Sequence, residues 1–173
     1  MLQTVQITIA GTVDIPALEI LVNSAYRGDS SKKGWTTEAD LLDGIRTNQT
    51  SLTKMIENPG AVILKCIDQE SQLIGCVFLQ KKGTKLYLGM LTVSPEFQAK
   101  GIGKQLLAAA ENQAKQTACT VITMTVISVR HELIAWYERH GYRPTGETEP
   151  FPASPDFGLP KQLLHFIVME KAV

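Results

Sequence analysis

The chain has 173 residues, 44% of them hydrophobic and 20% charged, which suits one globular domain with a substantial core and excludes disordered and fibrous classes. Seventeen basic side chains balance seventeen acidic ones, so the electrostatic footprint of a nucleic-acid binder is missing. No apolar run has the length to cross a bilayer, and Met1 to Ala10 alternates polar and apolar residues instead of forming a leader, so a cytoplasmic, membrane-independent protein is expected.

Val5, Ile7 and Ile9 alternate with polar residues and predict a first strand. Leu18, Leu21, Val22 and Ala25 then recur at helical spacing over Asp14 to Tyr26, with Pro16 tolerated in the first turn. A second helix is expected to start at Thr36 or Thr37, where Thr37-x-x-Asp40 resembles a capping box, and to turn Ala39, Leu41, Leu42 and Ile45 inward. Asn58-Pro59-Gly60 is a stop.

Ala61 to Ile67 and Leu73 to Leu79 read as a hairpin, and Lys85 to Val93 follows as a third antiparallel strand. Gly101 to Gln116 is predicted as a helix and Thr120 to Ile127 as a strand, which makes one helical crossover. Ser128 is expected to cap a helix over Arg130 to His140, and Tyr142 to Glu147 with Leu163 to Met169 supply closing strands around an irregular, proline-rich stretch. These segments favour an α/β (α+β type) domain spanning 1–173, with a mixed, mostly antiparallel sheet. Exposed sheet edges would allow a homodimer.

Cys66, Cys76 and Cys119 form no CxxC pair and read as reduced core thiols, with Cys66 and Cys76 possible cross-strand neighbours. His131, His140 and His165 lack metal-ligand spacing, so no metal is expected.

The chemistry concentrates in Leu91-Thr92-Val93-Ser94-Pro95-Glu96-Phe97-Gln98-Ala99-Lys100-Gly101-Ile102-Gly103-Lys104, a strand running through a short loop into a helix. Free N–H groups at a helix start, approached through glycines, suit a pyrophosphate. A nucleotide-hydrolysing loop would need glycine at Gln98 and Ser or Thr at Gln105, and a dinucleotide fingerprint would need glycine at Leu106. Gln-x-x-Gly-x-Gly remains, and at Gln98, Gly101 and Gly103 the sequence resembles the GNAT superfamily of N-acetyltransferases.

A second window, Leu133-Ile134-Ala135-Trp136-Tyr137-Glu138-Arg139-His140-Gly141-Tyr142, is similar to the family's A-x-x-Tyr-x-x-x-Gly-Phe helix end, with Tyr142 in place of Phe. The resemblance implies a GNAT-like sheet of about seven strands with helices on both faces, and acetyl-CoA as cosubstrate. Backbone amides over Gln98, Ala99, Lys100, Gly101, Ile102, Gly103 and Lys104 would hold the pyrophosphate, and the backbone of Leu91, Thr92 and Val93 would pair with the pantetheine arm. It makes Tyr137 the general acid for the leaving thiolate. Where many members carry asparagine this chain has Arg130, which either holds a coenzyme phosphate or faces solvent.

In the resembled fold the Tyr26 to Glu38 junction borders the acceptor pocket. Trp35 and Tyr26 are expected to form an aromatic wall there, with Glu38 or Asp40 attracting a cationic amine and Glu38 the carboxylate that helps deprotonate it. Phe151 or Phe157 is expected to cover the opposite side. The activity implied is direct acetyl transfer to a primary amine of a small molecule or peptide. The alternative is an acyl-CoA-binding sensor or interaction module without turnover.

Overall fold

A computed structural model describes residues 4–152 and 158–173. In chain order it contains β1 (Gln6–Ile9), α1 (Ile15–Tyr26), a single turn α2 (Gly28–Ser31), β2 (Leu42–Asp43), α3 (Gln49–Glu57), β3 (Ala61–Ile67), β4 (Leu73–Lys82) and β5 (Lys85–Val93). It continues with α4 (Ile102–Gln116), β6 (Val121–Ile127), α5 (His131–Arg139), β7 (Arg143–Pro150), β8 (Leu159–Pro160) and β9 (His165–Ala172). Seven strands form one sheet in the order β1-β3-β4-β5-β6-β9-β7, and β2 pairs with β8 in a separate two-stranded ribbon. Every pair in the large sheet is antiparallel except β5 with β6, which the α4 crossover makes parallel.

Alternation along the strands builds two cores. One face packs Leu64, Ile74, Leu79 and Leu88 under α4 and α5, through Leu106, Ala110 and Tyr137. The opposite face packs Ile63, Cys76 and Phe78 under α1 and α3, through Leu18, Val22 and Leu52. Lys65 of β3 stands opposite Cys76, and Cys66 opposite Gly75, so Cys66 and Cys76 are one position out of register and serve opposite cores. The two cysteines are therefore not direct cross-strand neighbours. All three cysteines are buried and free.

The expected helix at Thr36 or Thr37 does not form. Thr37 Oγ1 accepts the Ala39 N–H instead of capping a helix, and Gly44 adopts φ +81°. Leu42 leaves the helical path to pack with Ile127 and Leu164 beside the β2–β8 ribbon. The helix begins at Asn48, whose side chain accepts the Ser51 N–H at 2.8 Å. Ser128 likewise does not cap α5; its hydroxyl lies 3.4 Å from His165 Nδ1, and Arg130 is the cap residue without a side-chain cap bond. Pro144 and Pro150 fit β7 because it is an edge strand, paired with β9 alone.

Candidate active site

The sheet opens at its centre. β5 and β6 pair through Lys85–Val121, Leu86–Ile122 and Tyr87–Thr123, and beyond Tyr87 the β6 side of β5 has no strand partner among the described residues. A bulge marks the divergence: the β4–β5 register slips between Cys76 and Phe78, and Met90 adopts φ +52°. A methionine pays steric strain in this region, which is tolerated where neighbours fix the backbone. Here the Met90 carbonyl accepts the Thr92 hydroxyl at 2.9 Å, and the next carbonyl, that of Leu91, accepts the Tyr26 hydroxyl. The same divergence leaves β5 backbone groups available to an extended ligand arm.

At the end of β5 the chain enters α4 through a tight turn. Ala99 at φ +63° and Gly101 at φ +83° both take the left-handed conformation, which curls successive amides toward one concavity. α4 then presents the N–H groups of its first turn, those of Ile102, Gly103 and Lys104, without intrahelical partners, and Gln105 is the first to bond back, to the Gly101 carbonyl at 3.1 Å. This cradle fits a pyrophosphate: it combines convergent donors, the positive end of a fifteen-residue helix and no side chain at Gly101 or Gly103.

Gln98 braces the cradle. Its Oε1 accepts the Trp35 N–H at 2.8 Å, while its Nε2 donates to Thr36 Oγ1 at 2.7 Å and to the Val93 carbonyl at 3.0 Å. One amide therefore joins the end of β5, the turn and the loop after α2. Gly34 is required here, because a Cβ at that position would collide with the Gln98 amide.

Two cavities meet at the gap. The first, about 610 Å³, runs along the cradle and is lined by Leu91, Val93, Gln98, Ala99, Gly101 to Lys104, Trp35 and Trp136. The second, about 520 Å³, lies on the other side and is lined by charged groups that include Arg27, Glu38, Arg46 and Arg130. Tyr26, Leu91, Leu133 and Tyr137 line both. Burial is the main cause that holds the phenols of Tyr26 and Tyr137 above their ordinary value, Tyr137 far above it, so both stay protonated at neutral pH.

A strand that parts from its parallel neighbour beside an amide-rich helix start, with two cavities joined across the gap, is the geometry the sequence motif calls for. The sequence matches the Acetyltransferase (GNAT) family over residues 18–142. The chain belongs to this family. Solved structures agree on the fold. A ribosomal-protein-S18-alanine N-acetyltransferase from Escherichia coli has a TM-score of 0.72 at 14% identity, covering 98% of this chain and 94% of that one. A ribosomal-protein-alanine N-acetyltransferase from Brucella melitensis gives 0.71 at 21%, covering 97% and 99%. A PaiA N-acetyltransferase from Thermoplasma acidophilum, solved with coenzyme A, gives 0.67 at 20%, covering 99% and 100%. No curated protein sequence matches the chain.

As a GNAT site, the arrangement sorts the residues expected from sequence. Leu91, Val93, Gln98, Ala99, Gly101, Ile102, Gly103, Lys104 and Tyr137 come together along the first cavity. Thr92 turns its side chain into the core, and Lys100 stands with its ammonium 5.4 Å from the Phe97 ring centre, outside the cavity lining. Gln98 acts through its side chain as a brace, so any coenzyme contact falls to its backbone.

Arg130 does not reach the cradle. It donates to Glu38 Oε2 at 3.1 Å and to the Thr36 carbonyl at 2.7 Å, on the second-cavity side. Glu38 is a counter-ion instead of a free base: Arg27 holds its Oε1 at 2.9 Å and Arg130 its Oε2, and all three side chains are buried. Each Glu38 oxygen meets a guanidinium donor, which places the carboxylate between two arginines as their shared counter-ion. Asp40 is exposed and lines neither cavity.

Trp35 lines the first cavity, its ring centre 6.1 Å from that of Trp136, so only Tyr26 of the expected aromatic pair borders the second cavity. Phe151 does line that cavity, stacked on Phe166 at 5.3 Å, and Phe157 lies outside the described residues. Among the described residues no cluster of three metal-ligating side chains occurs, and no helix is long and apolar enough to cross a membrane. Arg46 was not legible as a site residue, because a lone arginine before a helix carries no motif.

Proposed function

We propose that the protein moves the acetyl group of acetyl-CoA directly to a primary amine, with coenzyme in the first cavity and acceptor in the second. The observation that carries this reading is the meeting of the two cavities at Tyr26, Leu91, Leu133 and Tyr137. The coenzyme-bound Thermoplasma structure of the same fold supports the assignment of the first cavity. A binding module without turnover would need the first cavity alone.

The amides of the 99–104 turn hold the pyrophosphate, and the unpaired edge of β5 guides the pantetheine arm toward the bulge. A backbone N–H near Leu91 or Val93 polarises the thioester carbonyl. The neutral amine attacks from the second cavity, the N–C bond forms, the C–S bond breaks, and the amine's surplus proton leaves to water. Positioning and oxyanion stabilisation supply most of the acceleration.

Tyr137 serves the departing sulfur. A free thiol titrates near 8.5, well below this phenol, so full proton transfer is uphill until the thiolate is itself desolvated in the gap. The phenol therefore acts first as a hydrogen-bond donor to the developing thiolate, then gives up its proton as the C–S bond breaks and regains one from solvent. Cys66 and Cys76 offer no competing acyl-enzyme route, because burial pushes the first up to about 11 and the second up to about 12.

Calorimetric titration with acetyl-CoA, paired with thiol release across small amines and amino-terminal peptides, tests the reading. The expected result is binding with amine-dependent release that falls about a hundredfold or more in Tyr137→Phe while coenzyme affinity holds within about twofold. Binding without release from any amine would leave the sensor reading in its place, and absence of binding would overturn the coenzyme site.

A further inference from the structure

The second cavity has a charge pattern that the transfer reading does not use. Among the described residues four cationic side chains line it, those of Arg27, Arg46, Lys82 and Arg130, against two acidic ones, those of Glu38 and Glu149. Arg27 and Arg130 both grip Glu38, one carboxylate between two guanidinium groups. Arg46 is different. Its backbone is fixed, the N–H donating to Asn23 Oδ1 at 2.7 Å, but among the described residues its guanidinium meets no carboxylate. Instead it stands with Cζ 5.8 Å from the centre of the Tyr26 ring, half-buried in the cavity wall. Lys82 repeats the arrangement, its ammonium 4.9 Å from the Tyr87 ring centre and, among the described residues, in no ion pair.

The Tyr26 ring connects this charge to the reaction centre. One flank carries the Arg46 guanidinium, and the hydroxyl at the ring's tip touches the Leu91 carbonyl at the bulge where the cavities meet. An acceptor whose nitrogen lies at Leu91 would extend an anionic head, held a few bonds from that nitrogen, along the tyrosine to Arg46. A guanidinium fork matches a carboxylate in geometry as well as charge. A second ammonium on the acceptor would instead approach Arg46 and Lys82, while the buried Glu38 carboxylate is already shared by two arginines.

We propose that the acceptor is an amine that also carries a carboxylate, an amino acid or a close relative, and that Arg46 is the residue that anchors it. This rests on the second cavity's being the acceptor site, and it replaces the cationic amine expected from Glu38 and Asp40. Polyamines and other polycations are disfavoured by the same charges.

The test uses matched sets in which only the anion changes: free amino acids, their methyl esters and the corresponding decarboxylated amines, each assayed for thiol release from acetyl-CoA by the wild type, Arg46→Gln and Arg46→Lys. The expected result is at least about a tenfold preference in kcat/KM for the free acid. In Arg46→Gln the KM for the acid should rise about tenfold to a hundredfold, the loss of a charge-assisted pair of hydrogen bonds, with Arg46→Lys between the two and the esters little affected. Acetyl-CoA affinity and thermal midpoint, measured on the same samples, show that the variants are folded.

Release that favours esters or polyamines, or acid kinetics indifferent to Arg46, overturns the anchor and leaves acetyl transfer standing. If no amine releases thiol, calorimetric binding of the same acids to the coenzyme-loaded protein decides: Arg46-dependent binding keeps the anion site and removes the transferase, whereas no binding removes both.

Discussion

Glu38→Gln separates two tasks that a buried carboxylate can perform. In the structure its two oxygens hold Arg27 at 2.9 Å and Arg130 at 3.1 Å, with the three side chains between 5% and 9% exposed. Glutamine keeps the shape and one acceptor oxygen but removes the charge, which leaves two buried guanidinium groups to repel each other. Breaking a buried ion pair from one side costs about 3–5 kcal/mol, and the retained amide oxygen argues for the lower end. For a chain of this size each kcal/mol lowers the thermal midpoint by about 2–4 °C, so a fall of roughly 6–12 °C is expected. Circular dichroism melts measure it directly. Thiol release assayed well below the variant's midpoint should show a moderate loss, concentrated in acceptor KM because Arg130 also ties α5 to the Thr36 carbonyl. A variant that melts with the wild type yet loses a hundredfold or more in kcat would refute the counter-ion argument and restore Glu38 as the base.

Tyr142 is fully buried, and its hydroxyl meets no hydrogen-bond partner among the described residues, so Tyr142→Phe should raise stability in urea by about 1 kcal/mol; a loss would reveal a hidden partner. Burial raises Cys66 to about 11 and Cys76 to about 12 from an ordinary 9.0. The unfolded chain therefore ionises first, and stability that is complete below pH 9 should fall as pH rises toward 12, a slope that urea midpoints across this range will show and that a double Cys66→Ala, Cys76→Ala variant should flatten. Gly34→Ala forces a Cβ onto the Gln98 amide and should weaken coenzyme affinity through the broken brace, whereas Gly11→Ala, with open space around it, should not; isothermal titration distinguishes the two, and equal affinities would show that the brace is dispensable.

Period and punctuation carried most of the fold. The β-branched and aromatic enrichment of Ala61–Ile67 and Leu73–Leu79, the segment Lys85–Val93 and the β-branched run of Thr120–Ile127 fall on β3, β4, β5 and β6, because each buries side chains against helices on one or both faces. The failure at Thr36 has a local cause. Leu41, Leu42 and Ile45 keep helical spacing, but Leu42 gains more by closing the small cluster with Ile127 and Leu164, contacts that span more than eighty residues of sequence and leave no local trace. Asn48, three residues before Ser51, was the helix signal that the threonine pattern obscured.

The site divides along the same line. The 98–104 cradle depends on consecutive residues, so the spacing of Gln98, Gly101 and Gly103 was enough to find it. The second cavity is assembled from α1, the loops after α2 and β2, the strands β4, β5, β6, β7 and β9 and the start of α5, and its character is set by which charges face each other. Glu38 and Arg130 are ninety-two residues apart, and only their contact in the fold shows that the acid and the arginine are paired with each other. What that pairing leaves uncompensated is Arg46, one position removed from any motif and one tyrosine ring from the Leu91 carbonyl. On the proposed reading, the coenzyme cradle is written in local spacing, and acceptor choice in the charge that remains after the buried pairs are formed.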